Sequence, residues 1–181
     1  LRLGLNIMKI QKSLEDLSVG ILKNYSENCV EVESCDESQL LTYQYLAAVM
    51  LANQGDRILL TSHFWKDDAK SILKGKGSDL SSSLCLDFFK EYLNIYGSKV
   101  KNGIMELQGD CDMSLPFIAP AYQSKLIINS ASYHKRLTWG LRFSGLRIAF
   151  SAAFRVEGED YLDDLSSLLS TSTLKADDVF L

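Results

Sequence analysis

Apolar residues recur at helical spacing through Ile7, Ile10, Leu14, Leu17, Ile21 and Leu22, which predicts an amphipathic helix over about residues 6 to 24. The pattern then changes. After an acidic stretch, ENCVEVESCDES, the segments LLTYQYLAAVMLA and RILLTSHFW are rich in strand formers and separated by the turn-prone cluster NQGD, so they read as the two arms of a β-hairpin. KDDAKSILK, acidic near its start and basic near its end, suits a short helix that complements its own dipole and stops at Gly75. The hydroxyls of Ser81–Ser83 offer N-caps for a long helix predicted to run to about Asn102 and end at Gly103.

Beyond IMELQG, MSLPFIA and SKLIINSASY lies the clearest hairpin. Trp139, Leu141 and Phe143 alternate with Thr138, Gly140 and Arg142, and Ile148, Phe150, Ala152 and Phe154 alternate on the return strand, with Ser144–Gly145 as the turn. A last helix, about Glu159 to Ser170, places Tyr161, Leu162, Leu165, Leu168 and Leu169 on one side. The remaining TSTLKADDVFL reads as a mobile or partner-bound tail, so the expected organisation is one domain over residues 1–170 and a tail over 171–181.

Composition narrows the function. At 181 residues and 46% hydrophobic, the chain has enough apolar side chains for one sizeable core. A net charge of −4 with scattered Lys and Arg argues against nucleic-acid binding. Cys29, Cys35, Cys85 and Cys111 form no CxxC pair, and only His63 and His134 are there to complement them, so no metal site is expected and the cysteines read as buried thiols. The N-terminal LRLGLNIMKIQKSLEDLS lacks the pattern of a secretory signal. The richest apolar run, LLTYQYLAAVMLANQ, is interrupted by Thr42 and Gln44 and is too short for a membrane span, so a cytoplasmic protein is expected. The chain contains no GxSxG elbow, GxxxxGK[ST] loop or HExxH pair, which removes the signals of a classical hydrolase and leaves both histidines as ordinary strand or loop residues.

The long helix contains the stretch KEYLNIYGSKVK. At 100° per residue Leu86, Phe89, Leu93, Tyr96, Gly97 and Val100 form the core stripe, and Asp87, Glu91, Asn94 and Ser98 fall on the opposite side. Phe88 and Ile95 border the polar row as apolar shoulders, exposed unless another element covers them. An outward carboxylate and carboxamide between such shoulders suit docking to a protein surface.

CLDFFKEYLNIYGSKVKNGI followed by CDMSLPFIAP resembles the CheC/CheX family of chemotaxis phosphatases. Its helix carries Glu-x-x-Asn, continues through two small residues toward a lysine, and leads to a strand with a Ser-Leu-Pro-like segment. Glu91, Asn94, Gly97–Ser98, Lys101 and Ser114–Pro116 match these features, and the resemblance extends over about residues 5 to 156. A family glycine is replaced by Ala119–Pro120, and the order of the small pair is altered. On the first helix Glu15 with Ser18 breaks a second Glu-x-x-Asn, so a single site, as in the CheX type, is implied.

The expected fold class is accordingly α+β and CheC/CheX-like, with an antiparallel-rich sheet packed against long helices. The resemblance also implies a phosphatase acting on the aspartyl phosphate of a CheY-like receiver domain. Asn94 would position the attacking water and Glu91 would meet the receiver's lysine. By the helical wheel, Asp87, Phe88, Ile95 and Ser98 beside them would touch the partner. Magnesium would come from the receiver, with no cofactor of the chain's own. A homodimer joined through the sheets is implied as well. The alternative is a non-catalytic module of the same fold that binds a regulator or organises a signalling complex.

Overall fold

Residues 2–25, 30–73, 82–129, 133–143, 146–156 and 160–173 are described by the computed structural model. Gly75, Ser81, the Ser144–Gly145 turn, Glu159, Cys29 and the tail from residue 174 onward lie outside this set.

Among the described residues, seven strands form one antiparallel sheet: β1 (Glu31–Ser34), β2 (Tyr45–Asn53), β3 (Asp56–Phe64), β4 (Asp112–Met113), β5 (Phe117–Pro120), β6 (Lys135–Phe143) and β7 (Leu146–Arg155). Their order is β1-β6-β7-β3-β2-β4, with β5 also pairing with β2. The first predicted hairpin is β2 and β3, in register from Tyr45↔Phe64 to Asn53↔Asp56. Its tight turn needs two residues at positive φ, and Gln54 and Gly55 adopt 37° and 119°. The second hairpin is β6 and β7, paired from Lys135↔Phe154 to Phe143↔Leu146.

The described residues also form six α-helices: α1 (Arg2–Lys23), α2 (Glu37–Leu40), α3 (Lys66–Leu73), α4 (Ser82–Gln108), α5 (Ser124–Asn129) and α6 (Asp160–Thr173). The alternation of β2, β3, β6 and β7 places Val49, Leu51, Ile58, Leu60, Trp139, Leu141, Ile148 and Phe150 in one core with Ile10, Leu14 and Leu17 of α1, Phe89, Leu93 and Tyr96 of α4, and Leu162, Leu165 and Leu169 of α6. The opposite face of the sheet carries smaller side chains, including Ala48, Ala149 and Ala153, and a buried polar chain in which Thr61 Oγ1 lies 2.6 Å from Ser151 Oγ and 3.1 Å from His63 Nε2. Cys35, Cys85 and Cys111 are buried free thiols. Among the described residues no helix is long and apolar enough to cross a membrane.

The structure corrects several expected boundaries. Residues 40–44 do not extend the first hairpin: Asp36 accepts a hydrogen bond from the Gln39 amide, and the Gln39 side chain accepts one from the Asp36 amide. This reciprocal cap starts α2 and delays β2 to Tyr45. Gly103 does not end the long helix. It is buried against α6, where an added Cβ would come within 3.2 Å of Leu165 Cδ1, so it serves close packing. α4 continues to Gln108, and Gly109, at φ 79°, supplies the left-handed stop. IMELQ is therefore helical, MSLPFIA divides between β4 and β5, SKLIIN forms α5, and α6 runs through Thr173.

Four hydrogen bonds fix the helical layer. Tyr92 and Tyr96 of α4 donate their hydroxyls to the Ser18 and Leu14 carbonyls of α1 at 2.8 and 3.2 Å, which sets the two helices antiparallel. Ser13 Oγ lies 2.9 Å from Ser166 Oγ and 3.0 Å from Ser170 Oγ, so α1 and α6 meet through small hydroxyl side chains.

Candidate functional site

α4 lies over β2 because its inner stripe is apolar and because one position in that stripe has no side chain. A Cβ on Gly97 would come within 3.0 Å of Met113 Sδ and 3.1 Å of Val49 Cγ1. The glycine therefore lets the helix approach the sheet beside β4. Toward the start of the helix, Phe89 stacks on Phe64 with ring centroids 3.6 Å apart. These contacts fix the helix rotation, and the rotation decides which residues face outward.

Glu91 is exposed, and Asn94 and Ser98 are half-buried, on one side of α4. Asp87 shares that side and forms an ion pair with Lys90 at 3.1 Å. Spacings of three and four residues bring Asp87, Glu91, Asn94 and Ser98 together as neighbours along one strip.

The shoulders differ from expectation. Phe88 is only 7% exposed. Tyr25, just past the end of α1, packs edge-on against it with ring centroids 5.0 Å apart, and Phe89 closes on it at 5.1 Å. Phe88 is thus a wedge between the helices and offers little surface to a partner. Ile95 is half-buried and leans on the main core. The helical wheel could not have shown this cover, because it comes from a residue some sixty positions earlier in the chain.

The Ser-Leu-Pro segment forms an interruption in an edge strand. The Ser114 amide donates to the Met50 carbonyl at 2.9 Å, and Ser114 Oγ accepts from the Met50 amide at 3.0 Å, so one residue supplies both partners of a ladder position. Leu115 then turns out to solvent, 88% exposed, Pro116 brings no amide hydrogen, and pairing resumes at Phe117↔Ala48. Half-buried Lys101 lies near Cys111, whose thiol is pushed up chiefly by burial and held back by that ammonium.

α1 presents no counterpart of the outward pair. Ser18 is fully buried: its hydroxyl donates to the Glu15 carbonyl at 2.7 Å and accepts from the Trp139 indole at 3.1 Å. Half-buried Glu15 accepts from Gln11 at 2.9 Å. Position 18 belongs to the core, whatever polar residue stands there. Among the described residues, no three or more His, Cys, Asp or Glu side chains gather as a metal site.

No family model matches the sequence, and no curated protein matches it. Solved structures do. The chain superposes on the chemotaxis protein CheX from Vibrio vulnificus with a TM-score of 0.59 at 11% identity, over 80% of this chain and 95% of that one. It superposes on a CheX-CheY-BeF3-Mg complex from Borrelia burgdorferi with a TM-score of 0.59 at 14% identity, over 80% and 97%. A CheC-like chemotactic protein from Shewanella oneidensis gives 0.55 at 13% identity, over 84% and 99%. Likeness at such identities speaks for architecture: the chain has the CheC/CheX-like α+β fold, an antiparallel sheet packed against long helices.

Proposed function

We propose that this protein is a CheX-like phosphatase that hydrolyses the aspartyl phosphate of a CheY-type response regulator. The observation that carries the reading is the placement of Glu91 and Asn94 as adjacent outward side chains on α4, a helix held by Phe64, Val49 and the α1 carbonyls. Support comes also from the fold, since a protein of the same architecture was solved in a CheX-CheY-BeF3-Mg complex.

The chemistry demands little of the second protein. Phosphoryl transfer depends mainly on position and charge stabilisation, and the receiver supplies the magnesium, the lysine and the phosphorylated aspartate. Asn94 enters the receiver's site and holds a water in line with the scissile bond. The water oxygen bonds to phosphorus as the acyl-phosphate P–O bond breaks, releasing phosphate and the free aspartate. A neutral carboxamide both donates and accepts, so it orients water without adding negative charge beside the phosphoryl group. Glu91, one turn earlier, pairs with the receiver's lysine and sets the register of docking. Asp87, Ile95 and Ser98 border the contact. Phe88 acts from beneath it. A CheX-type homodimer joined through the sheets and a cytoplasmic setting complete the proposal.

Phosphate release from an acid-labile phosphorylated CheY-type receiver tests it. Asn94→Ala is expected to lower the stimulated rate by about a hundredfold, and Glu91→Ala to weaken binding by about tenfold or more. A folded Asn94→Ala protein with the wild-type rate refutes the water-positioning role. A phosphorylation-dependent complex with no accelerated release favours the non-catalytic regulator-binding module instead.

A further inference from the structure

Between β4 and β5 the chain raises one side chain on a stiff arch. Ser114 is tied to Met50 of β2 through both its amide and its hydroxyl, and the hydroxyl also donates to the Leu115 carbonyl at 3.3 Å. On the far side the Pro116 ring fixes its own φ, and Phe117 pairs with Ala48. Leu115 is thus held from both ends. At 88% it is the most exposed of the large apolar side chains among the described residues.

The register sets this arch beside the strip on α4. Leu115 and Pro116 fall between the partners of Met50 and Ala48, so they stand level with Val49, the residue that meets Gly97. Asn94 precedes Gly97 by about one turn. The flank is fixed as well: α1 holds α4 through Tyr92 and Tyr96 and reaches β6 through the Ser18–Trp139 hydrogen bond, which leaves the other flank of α4 facing the β4 edge of the sheet. Asn94 turns to that flank, since at 100° per residue it lies about 160° from either tyrosine.

We propose that Leu115 is an anchor of the receiver contact, an apolar side chain that enters a pocket of the CheY-type domain while Glu91 and Asn94 address its phosphorylated site. The inference rests on the receiver-docking reading of α4. A contact of ordinary size covers about 800 Å² on each partner, enough to take in Asn94 and an arch one helical turn along from it. Because the backbone of the arch is already ordered, little freedom remains to be lost when the side chain is covered. A second copy of the chain extending the sheet fits this point poorly: Pro116 has no amide hydrogen to give, and the Ser114 amide is already bonded to Met50.

Titration with a CheY-type receiver activated by beryllofluoride and magnesium gives the test. Leu115→Ala is expected to weaken binding about tenfold and to raise KM on the phosphorylated receiver with kcat unchanged. Its thermal midpoint is expected to match wild type, because so exposed a side chain carries little of the fold. Leu115→Met, of similar volume, is expected to keep the affinity within about twofold. Undiminished affinity in Leu115→Ala while Glu91→Ala binds weakly overturns the anchor alone. Undiminished affinity in both variants overturns the docking reading and this inference with it. A Leu115→Ala protein that loses a dimer in light scattering yet binds the receiver as wild type does assigns the side chain to a contact between copies and overturns the proposal.

Discussion

His63 gives a sharp expectation for stability against pH. Its imidazole is fully buried on the second face of the sheet, beside Thr61 and 6.3 Å from the Tyr43 ring. Burial lowers its pKa from 6.5 to about 4, partly offset by the nearby Leu40 backbone. Because the folded value lies below the unfolded one, the unfolded chain binds a proton in this window that the folded chain refuses. Stability from this group is therefore full above 6.5 and falls as the pH drops toward about 4. One pH unit within the window corresponds to about 1.4 kcal/mol, and integrating from pH 7 to pH 5 gives a loss of about 2 kcal/mol. For a chain of this size that lowers the thermal midpoint by about 4–8 °C.

The comparison to make is wild type against His63→Gln, which retains a hydrogen-bonding side chain beside Thr61 without a titrating ring. Two nearby carboxylates leave the difference intact. Asp36, held low by the Ser38 hydroxyl and then by the Gln39 amide, titrates below the window, and Asp68, pushed up by burial, contributes equally to both proteins. Urea unfolding at the two pH values is expected to show the variant losing about 2 kcal/mol less than wild type. Parallel pH profiles refute the buried neutral imidazole.

Other substitutions probe the frame that presents the site. Gly97→Leu forces atoms into the space held by Met113 and Val49 and is expected to cost about 1–3 kcal/mol in urea unfolding. Gly97→Ala requires Met113 and Val49 to yield by a few tenths of an ångström while gaining helix propensity, and is expected to fall within about 1 kcal/mol of wild type. Ser18→Ala strands the buried Trp139 indole and should cost about 1–3 kcal/mol by the same measurement. Ser18→Asn completes a second Glu-x-x-Asn in the sequence, yet is expected to lower the thermal midpoint and add no phosphate-release activity.

The elements with a strong local signal were legible in advance: α1, the inner stripe of α4, the second hairpin and α6 follow from apolar spacing, and the first hairpin from its strand formers and the NQGD turn. The misses share a cause, which is contact with a distant part of the chain. Gly103 carries the local signature of a helix stop, but Leu165 and Leu169 of α6 make use of its missing side chain. Leu40 and Leu41 look like strand residues until the Asp36 cap claims the preceding turn. Glu91 and Asn94 were placed outward by their own helix, whereas the fate of Phe88 depended on Tyr25. Periodicity tells which way a side chain points from its own element and nothing of what another element lays over it.

The two tyrosine hydroxyls that join α4 to α1 have a consequence for recognition. They bind the two helices into one stiff body, so that little backbone has to be ordered at encounter. A surface of fixed shape selects among the conformations of its partner and does not mould itself to each. In the proposed docking to a regulator, discrimination between its resting and activated states would then arise from rigidity, with the adaptive movement left to the other molecule.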